Sequence, residues 1–292
     1  MLSDALVYLE CPLCGSGFTV SAGSMNCAEG HAFDIARQGY VNLATGAAKS
    51  LTADTAAMVH ARADFLRARH YEPIAEAVAD VAERCVTGAE GPRDGCVVDA
   101  GAGTGYYLAR VLEALPGRVG IALDISKHAA RRAARAHDRA AAVVCDTWGR
   151  LPLRDGSAAL VLDVFAPRNA AEFRRALAPG GALIVVTPSA RHLCELVGPL
   201  GLLSVDEHKD ERLADQLAGS FVQRESELIE WTMSLSRADV LALVRMGPSA
   251  WHADASTLAA RVTAMPEPLP VTASVYVSAY VPAQAPGRAG AV

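Results

Sequence analysis

The chain has 292 residues, of which 51% are hydrophobic and 20% are charged, and its formal net charge is −5 with a pI of about 5.9. This composition predicts a folded globular protein and excludes a disordered chain, and the length allows a small domain beside a large one. No apolar run could cross a bilayer, and the first ten residues lack the features of a signal peptide, so we expect a cytoplasmic protein without membrane contacts.

Residues 1–45 are the first predicted unit, a small module rich in glycine, cysteine and polar residues, with strand-like pieces at 18–20 and 40–43. A segment this short buries little core, so a metal ion would help it to fold. Its four candidate ligands are Cys11, Cys14, Cys27 and His31.

The spacing of these four ligands is typical of a zinc site. Cys-X2-Cys and Cys-X3-His each place two ligands on one tight turn, and two such turns can face one ion. Four protein ligands saturate tetrahedral zinc, so we predict a structural ion and not a catalytic one. A redox role for Cys11 and Cys14 is the weaker alternative, because it leaves Cys27 and His31 unexplained.

Residues 46–95 are predicted to form a helical connector. Two apolar stripes with helical spacing run through 52–86, and Pro73 suits the first turn of the second helix. The glycine-containing stretch 87–95 reads as a linker.

Residues 96–285 are predicted to form an α/β domain, and residues 286–292 a loose tail. The first predicted strands are 96–100, 119–123, 141–145, 159–164 and 182–187. The helices between them are predicted at about 105–115, 126–137 and 170–177. Such alternation indicates a doubly wound parallel sheet. Helices at 189–198 and 237–246 and strands at 228–235 and 271–281 complete the prediction.

A glycine-rich turn follows the first strand of this domain. Gly101, Gly103 and Gly105 lie between that strand and the next helix, where glycine lets the backbone turn sharply and approach a ligand closely. Asp99 ends the strand itself. We predict that this turn contacts a nucleotide cofactor.

Two more acids end the following strands. Asp124 can accept both hydrogen bonds of a ribose diol, and Asp146 could meet an adenine amino group. Carboxylates around the site suit a cofactor that carries a cation better than the pyrophosphate of a dinucleotide, and this favours S-adenosylmethionine.

With these motifs in place, the chain resembles the zinc-containing 23S ribosomal RNA guanine-N1 methyltransferases, including the branch linked to resistance against tylosin-like macrolides. The segments that carry the resemblance are 11–14, 31–43, 70–71, 99–107, 164–168, 186–193 and 246–251. The resemblance implies an α/β fold: a doubly wound, Rossmann-like class I methyltransferase sheet with a small N-terminal zinc-binding domain. It also implies methyl transfer from S-adenosylmethionine to N1 of a guanine in a 23S rRNA hairpin loop, and a homodimer.

The resemblance adds site residues. Those expected to contact the methyl donor, besides Asp124 and Asp146, are Tyr71, Gly103, Thr104 and His192. Those expected to contact RNA are Arg37, Gln38, Tyr40, Asn42, Arg62, Arg67 and Arg168. A second basic cluster, from Lys127 to Arg139, fits a phosphate-binding surface and a solvated helix face equally well.

The sequence leaves the proton acceptor open. Guanine N1 carries a proton and lies on the pairing edge, so the base must be unpaired or flipped before it reacts. Asp163, Asp146 and His192 are alternative acceptors, and no catalytic base is assigned. Two further functions also stay open: methylation of a small molecule such as an antibiotic, and a non-enzymatic role in ribosome binding. The intact glycine turn argues against the second of these.

Overall fold

The computed structural model describes residues 2–45, 53–201, 216–247 and 255–283. The start of the predicted connector, part of the resemblance at 248–251 and the predicted tail at 286–292 lie outside the described residues. None of the described helices is long and apolar enough to cross a membrane.

The strands follow the predicted order closely. In the described residues they are β1 (Phe18–Ser21), β2 (Ser24–Cys27), β3 (Ala32–Asp34), β4 (Tyr40–Asn42), β5 (Cys96–Ala100), β6 (Gly120–Asp124), β7 (Ala140–Val144), β8 (Ala158–Val164), β9 (Leu177–Pro188), β10 (Phe221–Leu235) and β11 (Leu269–Pro282). The helices are α1 (Leu2–Ala5), α2 (Ala56–Arg67), α3 (Glu72–Thr87), α4 (Tyr106–Ala114), α5 (Lys127–Ala133), α6 (Ala170–Ala176), α7 (Cys194–Leu200), α8 (Arg237–Arg245) and α9 (Ala255–Thr263).

Eight strands form one sheet in the order β10-β11-β9-β8-β5-β6-β7-β4. The strands from β4 to β9 in this sheet run parallel, and β11 is antiparallel to both β9 and β10. β5, β7 and β8 are buried along their whole length, which explains their unbroken apolar sequences. The predicted doubly wound class I methyltransferase fold is confirmed.

The order of the strands determines where a ligand can bind. From β5 the chain builds outward through β6 and β7, and it then crosses back to β8 and β9 on the other side. The loops after β5 and β8 therefore diverge, and a crevice opens between them at the carboxyl ends of the strands.

The N-terminal module is joined to this sheet. β1, β2 and β3 form a separate three-stranded antiparallel sheet, but β4 leaves it and becomes the edge strand of the large sheet, parallel to β7. Leu9, Met25 and Val41 of the module pack into the same core as strands β5 to β8. The strand at 40–43 was predicted, but its membership of the large sheet was not.

The two helices predicted within 52–86 are α2 and α3, separated by residues 68–71, where Arg69 has a φ of 65°. Pro73 does lie in the first turn of α3, as predicted. Two other helix predictions needed correction. The helix predicted over 189–198 begins only at Cys194, because Leu193 adopts a left-handed conformation (φ 58°). The helix predicted to reach residue 137 ends at Ala133.

Candidate functional site

The four predicted metal ligands converge on one point. Their ligand atoms lie within 4.8 Å of one another, with Cys14 Sγ 3.6 Å from Cys27 Sγ and Cys27 Sγ 3.3 Å from His31 Nδ1. Cys11 Sγ lies 3.6 Å from the same nitrogen. A tetrahedral zinc ion bound by sulfur and nitrogen has ligand–ligand distances of about 3.5–3.8 Å, so the cluster fits zinc and leaves no open position for substrate.

Two glycine-containing turns shape this cluster. Gly15 follows Cys14 and Gly30 lies between Cys27 and His31, with φ values of 76° and 82°. Their N–H groups donate to the carbonyls of Cys11 and Cys27. The backbone N–H and hydroxyl of Ser16 lower the pKa of the Cys14 thiol to about 6. This favours the thiolate that binds metal.

A cavity of about 1180 Å³ opens at the carboxyl ends of the parallel strands. Residues after β5, β6, β7 and β8 form its base, and residues of α2 and α8 close it from above. The predicted cofactor residues that line it are Tyr71, Asp99, Gly101, Gly103, Thr104, Asp124, Asp146 and His192. The structure therefore brings these eight residues together, and their contact with a cofactor stays a prediction.

Gly105 is the one predicted cofactor residue, among those the structure describes, that lies away from the cavity lining. It is the N-cap of α4 with a φ of 78°, and a Cβ there would lie 2.9 Å from the Cβ of Ala136 and 3.1 Å from the Cα of Ala133. Its role is the close approach of α4 to the α5 segment. Its predicted contact with the cofactor stays a prediction.

Asp124 organises the glycine turn. One carboxylate oxygen accepts the Gly103 N–H at 2.8 Å, and the other accepts the Ser126 N–H at 2.7 Å. Burial raises the pKa of Asp124 to about 6, although these two N–H groups favour its ionised form. The carboxylate is thus held in a fixed orientation at the cavity wall, where its remaining lone pairs can accept two hydroxyl groups.

Asp99 is buried beside Asp124, and fewer hydrogen bonds offset the burial of its carboxylate. Its Oδ2 has no hydrogen-bond partner among the described residues, and burial together with the charge of Asp124 raises its pKa to about 7. A buried carboxylate without a partner is costly unless a ligand neutralises it. S-Adenosylmethionine is cationic at its sulfonium and its amino group, so this pair of acids fits that cofactor.

Tyr71 and His192 are joined across the cavity. Tyr71 Oη lies 3.1 Å from His192 Nε2, and the Ser274 backbone N–H donates to His192 Nδ1 at 3.1 Å. Because a backbone N–H can only donate, Nδ1 carries no proton and the neutral ring carries its proton on Nε2. We therefore assign Nε2–H as the donor to Tyr71 Oη. Burial raises the pKa of Tyr71 well above its usual value, so it stays a neutral phenol.

Two exposed aromatic rings stand at the cavity, and neither was among the residues predicted to contact cofactor or RNA, although Phe165 lies in one of the segments that carry the resemblance. Phe165 follows β8 with a φ of 54° and is 40% exposed. Its ring stacks against that of His192, with 5.9 Å between the ring centres and 30° between the planes. Trp148 follows β7 and is 65% exposed. A left-handed phenylalanine is strained, and such strain often marks a functional position. The sequence signal that could have indicated both residues is a large aromatic side chain shortly after the end of a predicted strand.

The loop after β7 is held in place from both ends. Asp146 Oδ1 accepts the Trp148 N–H at 2.9 Å, and the Asn169 side-chain amide donates to the carbonyls of Trp148 and Gly149. Farther along, Arg150 Nη2 lies 2.7 Å from Glu10 of the zinc module. One short segment therefore connects the cavity to the module.

Two of the residues predicted to contact RNA are paired with acids within the fold. Arg62 lines the cavity, where its guanidinium pairs with Asp54 at 2.6 Å and donates to the Met246 carbonyl. Arg168 is only 11% exposed, with Nε 3.6 Å from buried Asp163. Arg168 thus compensates the buried charge of Asp163, and Arg62 is held at the cavity wall. Contact of either residue with RNA stays a prediction.

The remaining RNA candidates lie on accessible parts of the surface. Arg37 and Gln38 form the turn before β4, and Asn42 is exposed on that strand. Tyr40 is half-buried against the main core, which limits it as a stacking surface. Arg67 is exposed and pairs with Asp64 at 2.8 Å.

Comparison with known proteins shows two family matches. Residues 9–49 match the zinc ribbon family described as "RlmA, N-terminal", and residues 97–181 match the family described as "Methyltransferase domain". The first match contains all four zinc-site residues, and the second contains the glycine turn.

Relatives match over nearly the whole chain. The chain is 50% identical over 275 residues to the 23S rRNA (guanine(748)-N(1))-methyltransferase of Streptomyces fradiae, covering 94% of this chain and 97% of the relative. It is 53% identical over 288 residues to a protein of Micromonospora griseorubida named for 23S rRNA (guanine-N(1)-) methylation, with the same coverage. Among solved structures, a SAM-dependent methyltransferase from Thiobacillus denitrificans, in complex with S-adenosyl-L-homocysteine, matches with a TM-score of 0.47 and 17% identity, over 71% of this chain and 91% of that chain.

Proposed function

The chain belongs to the family of 23S rRNA guanine-N1 methyltransferases, and we propose that it methylates N1 of one guanine in a hairpin loop of 23S rRNA. It is an S-adenosylmethionine-dependent enzyme with a structural zinc site. The observation that carries the proposal is the acid-lined cavity at the glycine turn in a chain that also holds the zinc cluster.

The cofactor end of the cavity is formed by Asp99, Gly103, Asp124 and Asp146. When bound, S-adenosylmethionine supplies an activated methyl group on a sulfonium. Asp124 is oriented to accept the ribose hydroxyls, and Asp146 lies at the next strand end, where the adenine would be placed. Asp99 compensates the positive charge of the ligand. These residues align the donor, which is the main requirement of a displacement at an already reactive methyl group.

The acceptor guanine is proposed to lie against Phe165. This ring faces the cavity, is backed by His192, and leaves an exposed surface on which a flipped base can stack. Trp148 offers a second stacking surface at the same opening. A base between these rings would be shielded from water beside the donor site.

The three candidate proton acceptors are not equally supported. His192 holds its proton on Nε2 and accepts an N–H at Nδ1, so neither ring nitrogen has an open lone pair. Asp163 pairs with Arg168 outside the cavity lining. Asp146 lines the cavity, but it is assigned to the adenine end of the donor site, so no side chain is assigned as the base.

The zinc module is proposed to recognise the RNA. Zinc fixes β1 to β3, and β4 carries the chain from the exposed turn with Arg37 and Gln38 to Thr45 at the cavity. An RNA loop held by that turn would therefore lie along the sheet edge that leads to the donor.

Primer extension tests the function. Unmodified 23S rRNA is incubated with zinc-loaded protein and S-adenosylmethionine, and N1-methylguanine stops reverse transcriptase because the methyl group blocks the pairing edge. We expect one new stop at a guanine in a hairpin loop. Methyl incorporation into a macrolide with no stop in the RNA would support the small-molecule alternative instead.

We further propose that the protein acts in the cytoplasm as a homodimer and protects ribosomes against tylosin-like macrolides. Expression in a macrolide-sensitive host should raise the inhibitory concentration of such a drug, and Asp124→Ala should abolish the increase. Light scattering should give twice the mass of one chain; a monomer with full methyl transfer would remove the dimer from the proposal.

A further inference from the structure

A second groove lies beside the cofactor cavity and encloses about 1100 Å³. One wall is formed by α2, the turn after it, the first turns of α3, and α4, and the other wall is formed by α5. Arg67 and Arg69 on the first wall therefore face the basic residues of α5, which lie far from them along the chain. We call this feature the basic groove.

Cations outnumber acids in the lining of the basic groove. It contains six arginines and three glutamates, in addition to His60 and His128. On the first wall the arginines are already paired: Arg67 with Asp64, Arg69 with Glu72, and Arg110 with Glu113. The positive charge of this wall is thus largely compensated within the protein.

The α5 wall is different. Arg131 and Arg135 are exposed and, within the part of the chain that the structure describes, their side chains form no ion pair or hydrogen bond. Arg132 Nη2 lies 3.2 Å from His60 Nδ1 across the groove, so it too lacks a carboxylate partner among the described residues. A row of uncompensated guanidinium groups matches the phosphates of a polyanion.

The basic groove leads directly to the donor site. Leu66, Thr104 and Tyr106 line both the groove and the cofactor cavity. A polymer chain lying in the groove could therefore extend one of its units into the cavity. A free small anion would gain nothing from this continuity, whereas a strand with bases and phosphates would use both sites.

We infer that the basic groove binds the phosphate backbone of the RNA strand that carries the target guanine, an inference that rests on the proposed function. Arg131 and Arg135 contact phosphates, and the junction at Thr104 and Tyr106 is where the flipped nucleotide leaves the groove for the cavity. α5 thus guides substrate, in addition to its packing role in the fold.

The test compares two double charge reversals. Arg131→Glu/Arg135→Glu removes the free cations of the groove, and Arg93→Glu/Arg224→Glu makes the same change in net charge at exposed positions outside the groove lining. Binding of each protein to in vitro transcribed 23S rRNA is measured over a range of salt concentrations. Calorimetry with S-adenosylhomocysteine, and light scattering, are run on the same samples.

We expect the groove variant to lose at least about tenfold in RNA affinity at about 100 mM salt, and its salt dependence to fall by about one to two ions. The KM of the groove variant for RNA should rise, while its kcat, its affinity for S-adenosylhomocysteine and its oligomeric state stay unchanged. The control variant should bind RNA like the parent. Arg131→Lys/Arg135→Lys should recover most of the affinity.

Equal RNA binding by the groove variant and the control would overturn the inference, even if the parent methylates RNA normally. A change in oligomeric state would also overturn it and assign the groove to a second copy of the chain. If the parent protein binds S-adenosylhomocysteine but does not methylate or bind the RNA, the proposed function fails, which is a separate outcome.

Discussion

The zinc cluster and the cofactor cavity both depend on a few cysteine, histidine and aspartate side chains, but the two sites organise them in opposite ways. The four zinc ligands come from one short segment and point at one another within 4.8 Å. The cavity acids come from three strand ends and face a space of about 1180 Å³. The first arrangement closes around an ion and stabilises structure, while the second keeps its charges available for a ligand.

This difference also shows in the hydrogen bonding of the two sites. Ser16 lowers the pKa of Cys14, which favours the thiolate that binds metal. Asp99 is held in the cavity without a partner for Oδ2 among the described residues. The cavity therefore carries an energetic cost in the free protein that its cationic ligand would relieve.

Loss of the zinc site should have the largest effect. Cys27→Ser is expected to abolish stoichiometric zinc and to destabilise the whole protein by several kcal/mol, since structural zinc contributes about 10 kcal/mol or more of binding free energy and β4 belongs to the large sheet. Metal analysis and thermal unfolding measure both quantities. The matched control is Cys194→Ser, an exposed cysteine outside the cluster, which should keep zinc and stability. Normal stability of the zinc-free variant would show that the module is not needed by the sheet.

Asp124→Ala should have the next largest effect, and it should act on the cofactor cavity and not on the zinc cluster. We expect S-adenosylhomocysteine to bind roughly 100-fold more weakly, because the ribose acceptor and the partner of the Gly103 N–H are both lost. Zinc content should not change. The same calorimetry on Asp80→Asn, an exposed acid on α3, provides the reference, and equal affinities would remove Asp124 from the cofactor site.

Asp99→Asn should move stability and affinity in opposite directions. The raised pKa of about 7 means that the folded protein binds a proton more tightly than the unfolded chain does, so ionised Asp99 lowers stability increasingly as pH rises from about 4 to 7. The variant should therefore be more stable than the parent by about 1–3 kcal/mol at pH 8 and equally stable at pH 4. It should bind the cationic cofactor at least about tenfold more weakly at pH 8. Urea unfolding at both pH values, with calorimetry, checks each part; a variant that is less stable at pH 8 contradicts this account of Asp99.

Glu10→Gln should have the smallest effect, and it probes the connection between the two regions. The Glu10–Arg150 pair is half-exposed on the arginine side, so its loss should lower stability by about 1 kcal/mol or less. Zinc should stay bound, while hydrogen exchange in the 146–151 segment should increase. Unchanged exchange there would mean that the module and the cavity loop are not connected through this pair.

The accuracy of the sequence prediction follows from what local sequence can encode. The zinc ligands and the acids at the strand ends were predicted because spacing and strand–helix alternation are local signals. That β4 joins the large sheet was not predictable, since strand pairing across a hundred residues leaves no local mark. The packing of Gly105 against Ala133 and Ala136, and the hydrogen bond from Arg62 to the Met246 carbonyl, were not predictable for the same reason, since each partner lies far along the chain.

Nucleoside analysis by mass spectrometry tests the central claim most directly. Unmodified 23S rRNA is treated with zinc-loaded protein and deuterated methyl donor, digested to nucleosides and compared with a parallel reaction of the Asp124→Ala variant. The account predicts one labelled N1-methylguanosine for each RNA molecule with the parent protein and none with the variant. Labelled methyl groups on another nucleoside, or no label from a protein that binds both zinc and S-adenosylhomocysteine, would contradict it.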